Sequence, residues 1–332
     1  VRLAALVESV DHVCCRYRLA AFRPHLAAAG HELSLSALPG SWFGRLTMGD
    51  PAADAVIVQR KLLPTVAISL LRRRAKRLIF DFDDAVWLRD SYSPKGFHDA
   101  RRTRRFRAMM QACDLVIAGN EYLAAEAQRY GARALVIPTC VDTTRLRVRT
   151  LHPRSDSLQL VWVGSSSTLR GLEQFTPTLS AIGRALPNVR LKIICDRFID
   201  IPDLPVDRCE WNEATEGDEI AAADVGIGWV PDDPWSRGKC GLKVLQYQAA
   251  GLPVIANPVG VQADFVRDGA TGYQATTTED WVTAVRRLTD TALRHRLGDT
   301  GRRQAEQHYS VAAGAARWLA ALEELGRVRL SA

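Results

Sequence analysis

The chain has 332 residues, enough for two domains that each bury a core of their own. Its 44 Lys and Arg against 37 Asp and Glu leave a formal charge of +7, a modest excess that fits nucleic acid, an anionic membrane or a phosphorylated small molecule equally well. The 7 Cys form no C-x-x-C pair and the 7 His no metal-ligand spacing, which speaks against a disulfide framework or a zinc site.

Residues 3–7 form a short apolar run that passes straight into the polar stretch 8–13. It is too short for a signal-peptide core, and no later run approaches the roughly 18 apolar residues of a membrane span, so the expectation is a cytoplasmic protein. Residues 14–29 have helical periodicity, with Leu19, Phe22, Leu26 and Ala29 on one face, and Gly30 ends the helix. Strands follow at 32–37 and 55–58, a helix with a basic exit at 65–76, and a strand at 78–82. A helix at 97–113, a strand at 115–118, a helix at 121–130 and a strand at 134–137 complete the first half. This alternation predicts a parallel, doubly wound sheet. Residues 138–157 lack periodicity and read as an interdomain linker. A second alternation then runs through strands at 158–163, 189–195 and 207–211 and helices at 171–186 and 216–223, and helices at 281–288, 292–309 and 311–325 close the chain.

The most informative stretch is the apolar Val225-Gly-Ile-Gly-Trp-Val230, a polar loop from Asp232 to Gly241, a helix from Leu242, and a second apolar run, Val254-Ile-Ala256. Two buried strands thus bracket a helix whose first turn carries Lys243, with Gln246 one turn on. Free N–H groups and partial positive charge at such a helix start suit a phosphate. In Arg237-Gly-Lys-Cys-Gly-Leu-Lys243 the glycines permit close backbone approach and the cations match a diphosphate; a solvated basic loop is the plainer alternative. Val161-Trp-Val-Gly164 followed by Ser165, Ser166, Ser167, Thr168 and Arg170 is a strand end opening into a helix, where hydroxyls and a guanidinium can hold phosphate or one hydroxyl can merely cap the helix. No G-x-G-x-x-G follows the first strand, which disfavours a nicotinamide cofactor, and there is no P-loop.

Asp81-Phe-Asp83-Asp84 ends a buried strand of the first half. Its carboxylates suit sugar hydroxyls or an acceptor nucleophile; Asp84 can instead cap a helix and Asp81 can pair with an Arg. No third ligand accompanies them, so no metal is expected. Arg16-Tyr-Arg18 opens the first helix, where Arg16 can reach an anion or lie on a plain surface. Arg72-Arg-Arg-Ala-Lys-Arg77 and Arg101-Arg-Thr-Arg-Arg-Phe-Arg107 read as solvated helix faces or as contacts for an anionic membrane. No helix-turn-helix or aromatic-interleaved signature goes with the charge, so nucleic acid is not expected as a partner.

Taken in order, Phe80-Asp-Phe-Asp-Asp-Ala-Val-Trp87, Leu115-Val-Ile-Ala-Gly-Asn-Glu-Tyr-Leu123, Val136-Ile-Pro-Thr-Cys-Val-Asp142, Trp162-Val-Gly-Ser165, Gly238-Lys-Cys-Gly-Leu-Lys-Val-Leu-Gln-Tyr247 and Ala250-Gly-Leu-Pro-Val-Ile-Ala256 resemble the retaining GT-B glycosyltransferases of glycosyltransferase family 4, bacterial polysaccharide type, over nearly the whole chain. The resemblance implies two Rossmann-like domains facing across a cleft: an acceptor domain at 1–145, a nucleotide-sugar donor domain at 146–310, and a last helix at 311–327 returning to the first. The family's E-x7-E signature falls on Gly238 and Gln246, with Lys243 keeping its spacing, and its phosphate-binding pair falls on Ser165 and Arg170, with Lys239 as a substitute cation.

The function this implies is transfer of a sugar, with retention, from a nucleoside diphosphate sugar to a hydroxyl acceptor (a glycan, a lipid-linked sugar or a small molecule), without metal or resident cofactor. Asp83, Asp84, Arg170 and Lys239 are the expected catalytic residues, with Arg16 on the acceptor side. Donor contacts are expected from Gly164, Ser165, Ser166, Gly238, Cys240, Gly241, Lys243 and Gln246, from Arg197 and Trp211 beside the base, and from Asp232 and Trp235 against the sugar. Two rivals share the fold: a sugar-nucleotide epimerase and a non-catalytic nucleotide- or anion-binding protein.

Overall fold

The computed structural model describes residues 1–41, 44, 48–145 and 157–327. Its contacts divide the chain into two compact units: Val1–Cys140 with Asp233–Cys240 and Val311–Ala332, and Val141–Asp232 with Gly241–Ser310. The expected boundary after residue 145 abuts residues 146–156, which lie outside the described residues, as does most of the expected linker.

The first unit is built on six parallel strands, β1 (Arg2–Val7), β2 (Glu32–Ala37), β3 (Ala55–Gln59), β4 (Leu78–Phe82), β5 (Leu115–Ala118) and β6 (Ala134–Val136), in the order β2-β1-β3-β4-β5-β6. Alternate residues of each central strand enter opposite cores. Val56, Val58, Phe80, Phe82, Val116 and Ala118 join one, and Ala55, Ile57, Ile79, Leu115 and Ile117 join the other. With both faces covered, the strands need continuous apolar runs, and that is what the sequence supplies.

On the first face lie α3 (Thr65–Arg74), α4 (Ala100–Ala112) and α5 (Glu121–Arg129), which bury Ile68, Leu71, Phe106, Met109 and Leu123. The other face is covered by α1 (Val13–Arg18), α2 (Arg23–Ala28) and the last helix, α12 (Val311–Arg327), whose Trp318 and Leu322 share a core with Phe22 and Leu26. The single helix expected at 14–29 is broken. Leu19 leaves helical geometry at φ −132°, and a 3-10 turn at Ala20–Phe22 precedes α2. Pro24 has no N–H to continue an i→i−4 ladder, so the helix restarts at Arg23; Ala29, expected on the apolar face, is exposed. α4 begins at Ala100 rather than 97, because Asp99 accepts from the N–H groups of Arg101 and Arg102 and so sets the cap.

The second unit repeats the architecture with β7 (Leu158–Val163), β8 (Val189–Cys195), β9 (Val206–Glu210), β10 (Val225–Gly228), β11 (Val254–Ala256) and β12 (Gly272–Gln274), parallel and in the order β12-β11-β10-β7-β8-β9. The helices are α6 (Ser166–Ala185), α7 (Glu216–Ala221), α8 (Leu242–Ala249), α9 (Gln262–Phe265), α10 (Thr278–Arg287) and α11 (Thr291–His308). α6 starts five residues before the expected 171, since Thr168 Oγ1 accepts from the Ser165 N–H and closes the first turn there. Both units are Rossmann-like, and in each the carboxyl ends of the strands lie along one edge, where such sheets bind ligands. Among the described residues no helix is long and apolar enough to cross a membrane.

Candidate active site

At the carboxyl ends of β3 and β4 the first unit gathers a cluster of opposed charges. Arg18, the last residue of α1, donates to both oxygens of Asp81 (3.2 and 2.5 Å) and to the Ile137 carbonyl at 2.6 Å. Both partners are 1% exposed, so the ion pair lies wholly inside the protein. Burial opposes the Arg18 charge, yet the Asp81 carboxylate outweighs it and holds the guanidinium above its ordinary range. Arg60 pairs with Asp84 and also donates to the Cys14 sulfur. Burial, reinforced by the neighbouring Asp83 charge, raises the Asp84 carboxyl against the pull of Arg60 and Lys239. The Cys14 thiol is pushed up by burial and then by Asp83, which keeps it protonated and poorly nucleophilic.

Asp83 differs from its neighbours. It is 4% exposed and makes no hydrogen bond or ion pair among the described residues, while its oxygens are not sealed from contact. Arg18 and Arg60 lie close enough for its charge to add to the upward push that Asp81 and Asp84 exert on them. It retains its full capacity to accept hydrogen bonds.

The loop after β10 adds to this cluster. Asp233–Cys240 groups with the first unit, although the resemblance implies a donor domain at 146–310 that would contain it. Asn120, the N-cap of α5, accepts from the Leu123 N–H at 2.9 Å and donates to the carbonyls of Gly238 (3.2 Å) and Lys239 (3.3 Å). Ser236 meets Ser91 at 3.1 Å, and Trp235 packs against the core of the first unit. A Cβ on Gly238 would stand 2.9 Å from Ala85, so only glycine allows the approach. Lys239 is thereby delivered close enough to Asp84 to lower its carboxyl.

In the second unit, α8 starts on Gly241, which is left-handed (φ +65°) and would bring a Cβ within 2.8 Å of Val261 and Phe265. As a glycine, the N-cap residue itself brings no side chain to this end. Lys243 holds its ammonium 4.2 Å over the ring of Trp162, the buried residue near the end of β7. Gln246, one turn on, is 3% exposed. Tyr247 fixes the helix: its ring fills the space left by Gly226, and its hydroxyl accepts from the Val163 N–H at 2.9 Å. Asn257 braces the following loop by bonding the N–H (3.1 Å) and carbonyl (2.7 Å) of Val230.

The start of α6 is arranged differently. Asp196 accepts from the Ser166 N–H at 2.6 Å, and hydrogen bonds from Ser166 hold that carboxyl below its ordinary range. This helix end therefore presents a carboxylate of the protein's own where an anion was expected. Gly164 and Ser166 are half-buried there, and Ser165, Arg170 and Arg197 are exposed. Trp211, 38% exposed, donates to Glu216 at 2.8 Å. Asp232 is exposed and Cys240 half-buried. Arg16 is half-buried and stacks on the ring of its neighbour Tyr17. Among the described residues no group of three or more His, Cys, Asp or Glu could hold a metal ion.

Four residues carry the geometry without having been singled out as site residues: Arg18, Arg60, Asn120 and Tyr247. Arg60 directly follows β3, the position the strand-end rule marks, and its left-handed backbone (φ 60°), unusual for an arginine, turns it toward Asp84. Asn120 stands in the legible N-cap position, but its second role depends on a segment 118 residues away.

Residues 157–291 match a family model described as glycosyl transferases group 1. Among solved structures the chain is similar to sucrose-phosphate synthase from Thermosynechococcus elongatus, with a TM-score of 0.75 at 14% identity over 99% of this chain and 100% of that one. It is also similar to a glycosyltransferase from Rickettsia africae (TM-score 0.71, 11% identity, 98% of each chain). HepE of Anabaena, solved in complex with UDP, superposes with a TM-score of 0.68 at 14% identity, covering 98% of this chain and 100% of HepE. No curated protein matches the sequence. The protein thus has the GT-B fold, and its second unit carries sequence similar to the group 1 glycosyltransferases.

Proposed function

We propose that the protein is a glycosyltransferase that moves a sugar from a nucleoside diphosphate sugar to a hydroxyl acceptor, with retention at the anomeric carbon. The observation that carries this reading is the start of α8: a helix end whose N-cap is a left-handed glycine, at the carboxyl edge of a parallel sheet, with Lys243 in its first turn. Negative charge grows on the departing diphosphate as the bond to the sugar breaks, and N–H groups fixed in advance stabilise it without reorganising. The UDP complexes of HepE support the choice of ligand class. In this reading Lys243, the Gly241–Leu242 backbone and Gln246 serve the donor, and Lys239 and Arg170 add positive charge. Asp83, the carboxylate with unused acceptor capacity, takes the hydrogen bond of the incoming hydroxyl, and Arg60 keeps Asp84 in place beside it.

Thermal-shift titration with UDP, GDP, ADP and dTDP tests this, because a ligand that binds only the folded state raises its melting temperature. One nucleoside diphosphate is expected to stabilise the protein. Lys243→Ala should abolish most of that shift and lower the transfer rate by about 10²-fold, the effect of one transition-state donor. No shift with any of the four, or an undiminished shift in the variant, refutes the assignment.

A further inference from the structure

We propose that the outer face of α3 and α4 is a docking surface for an anionic lipid bilayer. The two basic runs, separated in sequence, come together in the fold. Both helices bury apolar residues in one core, and Arg72 and Arg77, at the end of α3, pair with Asp114, just beyond the end of α4. α4 reads Ala-Arg-Arg-Thr-Arg-Arg-Phe-Arg-Ala-Met-Met-Gln-Ala, without a single acidic residue. Its inward positions are Phe106, Met109 and Met110; Arg101, Arg104 and Arg107 are exposed, as is Arg73 on α3. None of these four has an ion-pair partner among the described residues.

This arrangement works against the fold. Arg101, Arg104 and Arg107 repel one another at successive three-residue spacings. An opposing negative surface would relieve this. Val66, 54% exposed, lies two turns before Arg73 on the same side of α3 and adds an apolar contact beside the cations, the composition of a face that rests at a membrane surface. A single-stranded nucleic acid would want exposed aromatics to stack on, and the aromatic residue of α4, Phe106, is fully buried. None of the four arginines belongs to the site described above, so this surface and the sugar-transfer reading stand or fall separately.

Co-sedimentation of the full chain with vesicles tests it. Phosphatidylcholine vesicles containing about 30% phosphatidylglycerol should retain the protein, pure phosphatidylcholine should not, and retention should disappear between about 0.1 and 1 M salt. The variant R73Q/R101Q/R104Q/R107Q should bind the anionic vesicles at least about a hundredfold more weakly, at roughly fivefold per charge. The matching R73K/R101K/R104K/R107K variant should restore binding, which separates loss of charge from loss of fold. Absence of binding to the anionic vesicles, equal binding by the glutamine variant, or tighter binding to an oligonucleotide than to the vesicles would overturn the proposal.

Discussion

The two units hold charge in opposite ways. In the first unit it resides on side chains that neutralise one another inside the protein: Arg18 with Asp81, and Arg60 with Asp84. In the second unit it resides on the backbone of a helix end and on Lys243, which rests on an aromatic face. A buried, mutually dependent pair cannot lose one member without stranding the other, whereas a half-buried ammonium keeps contact with solvent. The first unit's polar cluster is therefore tied to the stability of the fold in a way that the start of α8 is not.

Removing Arg18 is the strongest way to break that contrast. Arg18→Ala leaves the Asp81 carboxylate buried without its cation and should destabilise the protein by about 3–5 kcal/mol, read from urea denaturation. The double change R18L/D81L removes both charges and should recover most of that loss. Lys243→Ala should cost less; its contact with Trp162 is worth about 1 kcal/mol. Equal destabilisation by Arg18→Ala and Lys243→Ala would mean that the two units do not differ in how they hold charge.

A smaller effect is expected at Asn120, where the first unit grips the loop that bears Lys239. Asn120→Asp keeps the oxygen that caps α5 but removes both donors to the Gly238 and Lys239 carbonyls, and should cost about 1–2 kcal/mol. Hydrogen exchange should quicken in Asp233–Cys240 and stay unchanged in α5. Asn120→Ala removes the cap as well, so exchange should quicken in both, at a further cost of about 1 kcal/mol. Unchanged exchange in the loop of either variant would mean that the packing of Gly238 and Trp235 and the Ser91–Ser236 contact hold it without Asn120.

These residues also show what a sequence can reveal. The alternation of apolar runs and helical stripes made both sheets legible, because strands covered on two faces need unbroken apolar sequence, as Val56-Ile-Val58 and Leu78-Ile-Phe80 show. The strand-end rule led to Asp83 and to the start of α8 for the same local reason. What stayed hidden depends on distance along the chain. Nothing near Arg18 announces that Asp81, 63 residues on, will take its charge, and nothing in Asp233–Cys240 announces that it packs with the first unit. The break in the first helix is legible in Pro24, although Leu19, Phe22 and Leu26 keep helical spacing across it. Tyr247 hides for another reason: a buried aromatic in a helix looks like core until its hydroxyl is seen to hold a strand-end N–H.

The finest test of the comparison lies at Asp196, where the second unit does place a carboxylate, against the start of α6. Hydrogen bonds from Ser166 depress this carboxyl in the folded state, so the group binds protons more weakly folded than unfolded. Its stabilising contribution is present above the unfolded-state value of about 3.9 and is lost as pH falls through the lower folded-state value. Carboxyl NMR titration should place its midpoint below that of an exposed aspartate, and Ser166→Ala, which removes the hydroxyl, should shift the midpoint part of the way back. Asp196→Asn removes the charge while keeping an acceptor for the Ser166 N–H. If the diphosphate lies at α8 alone, nucleotide affinity should change by less than about twofold, since solvent screens an exposed charge that does not face the phosphates. If α6 also faces the phosphates, the neutral side chain should raise affinity by several-fold at low salt and lose that gain at high salt. The first outcome leaves the start of α8 as the anion site of this unit, and the second divides the site between two helix ends.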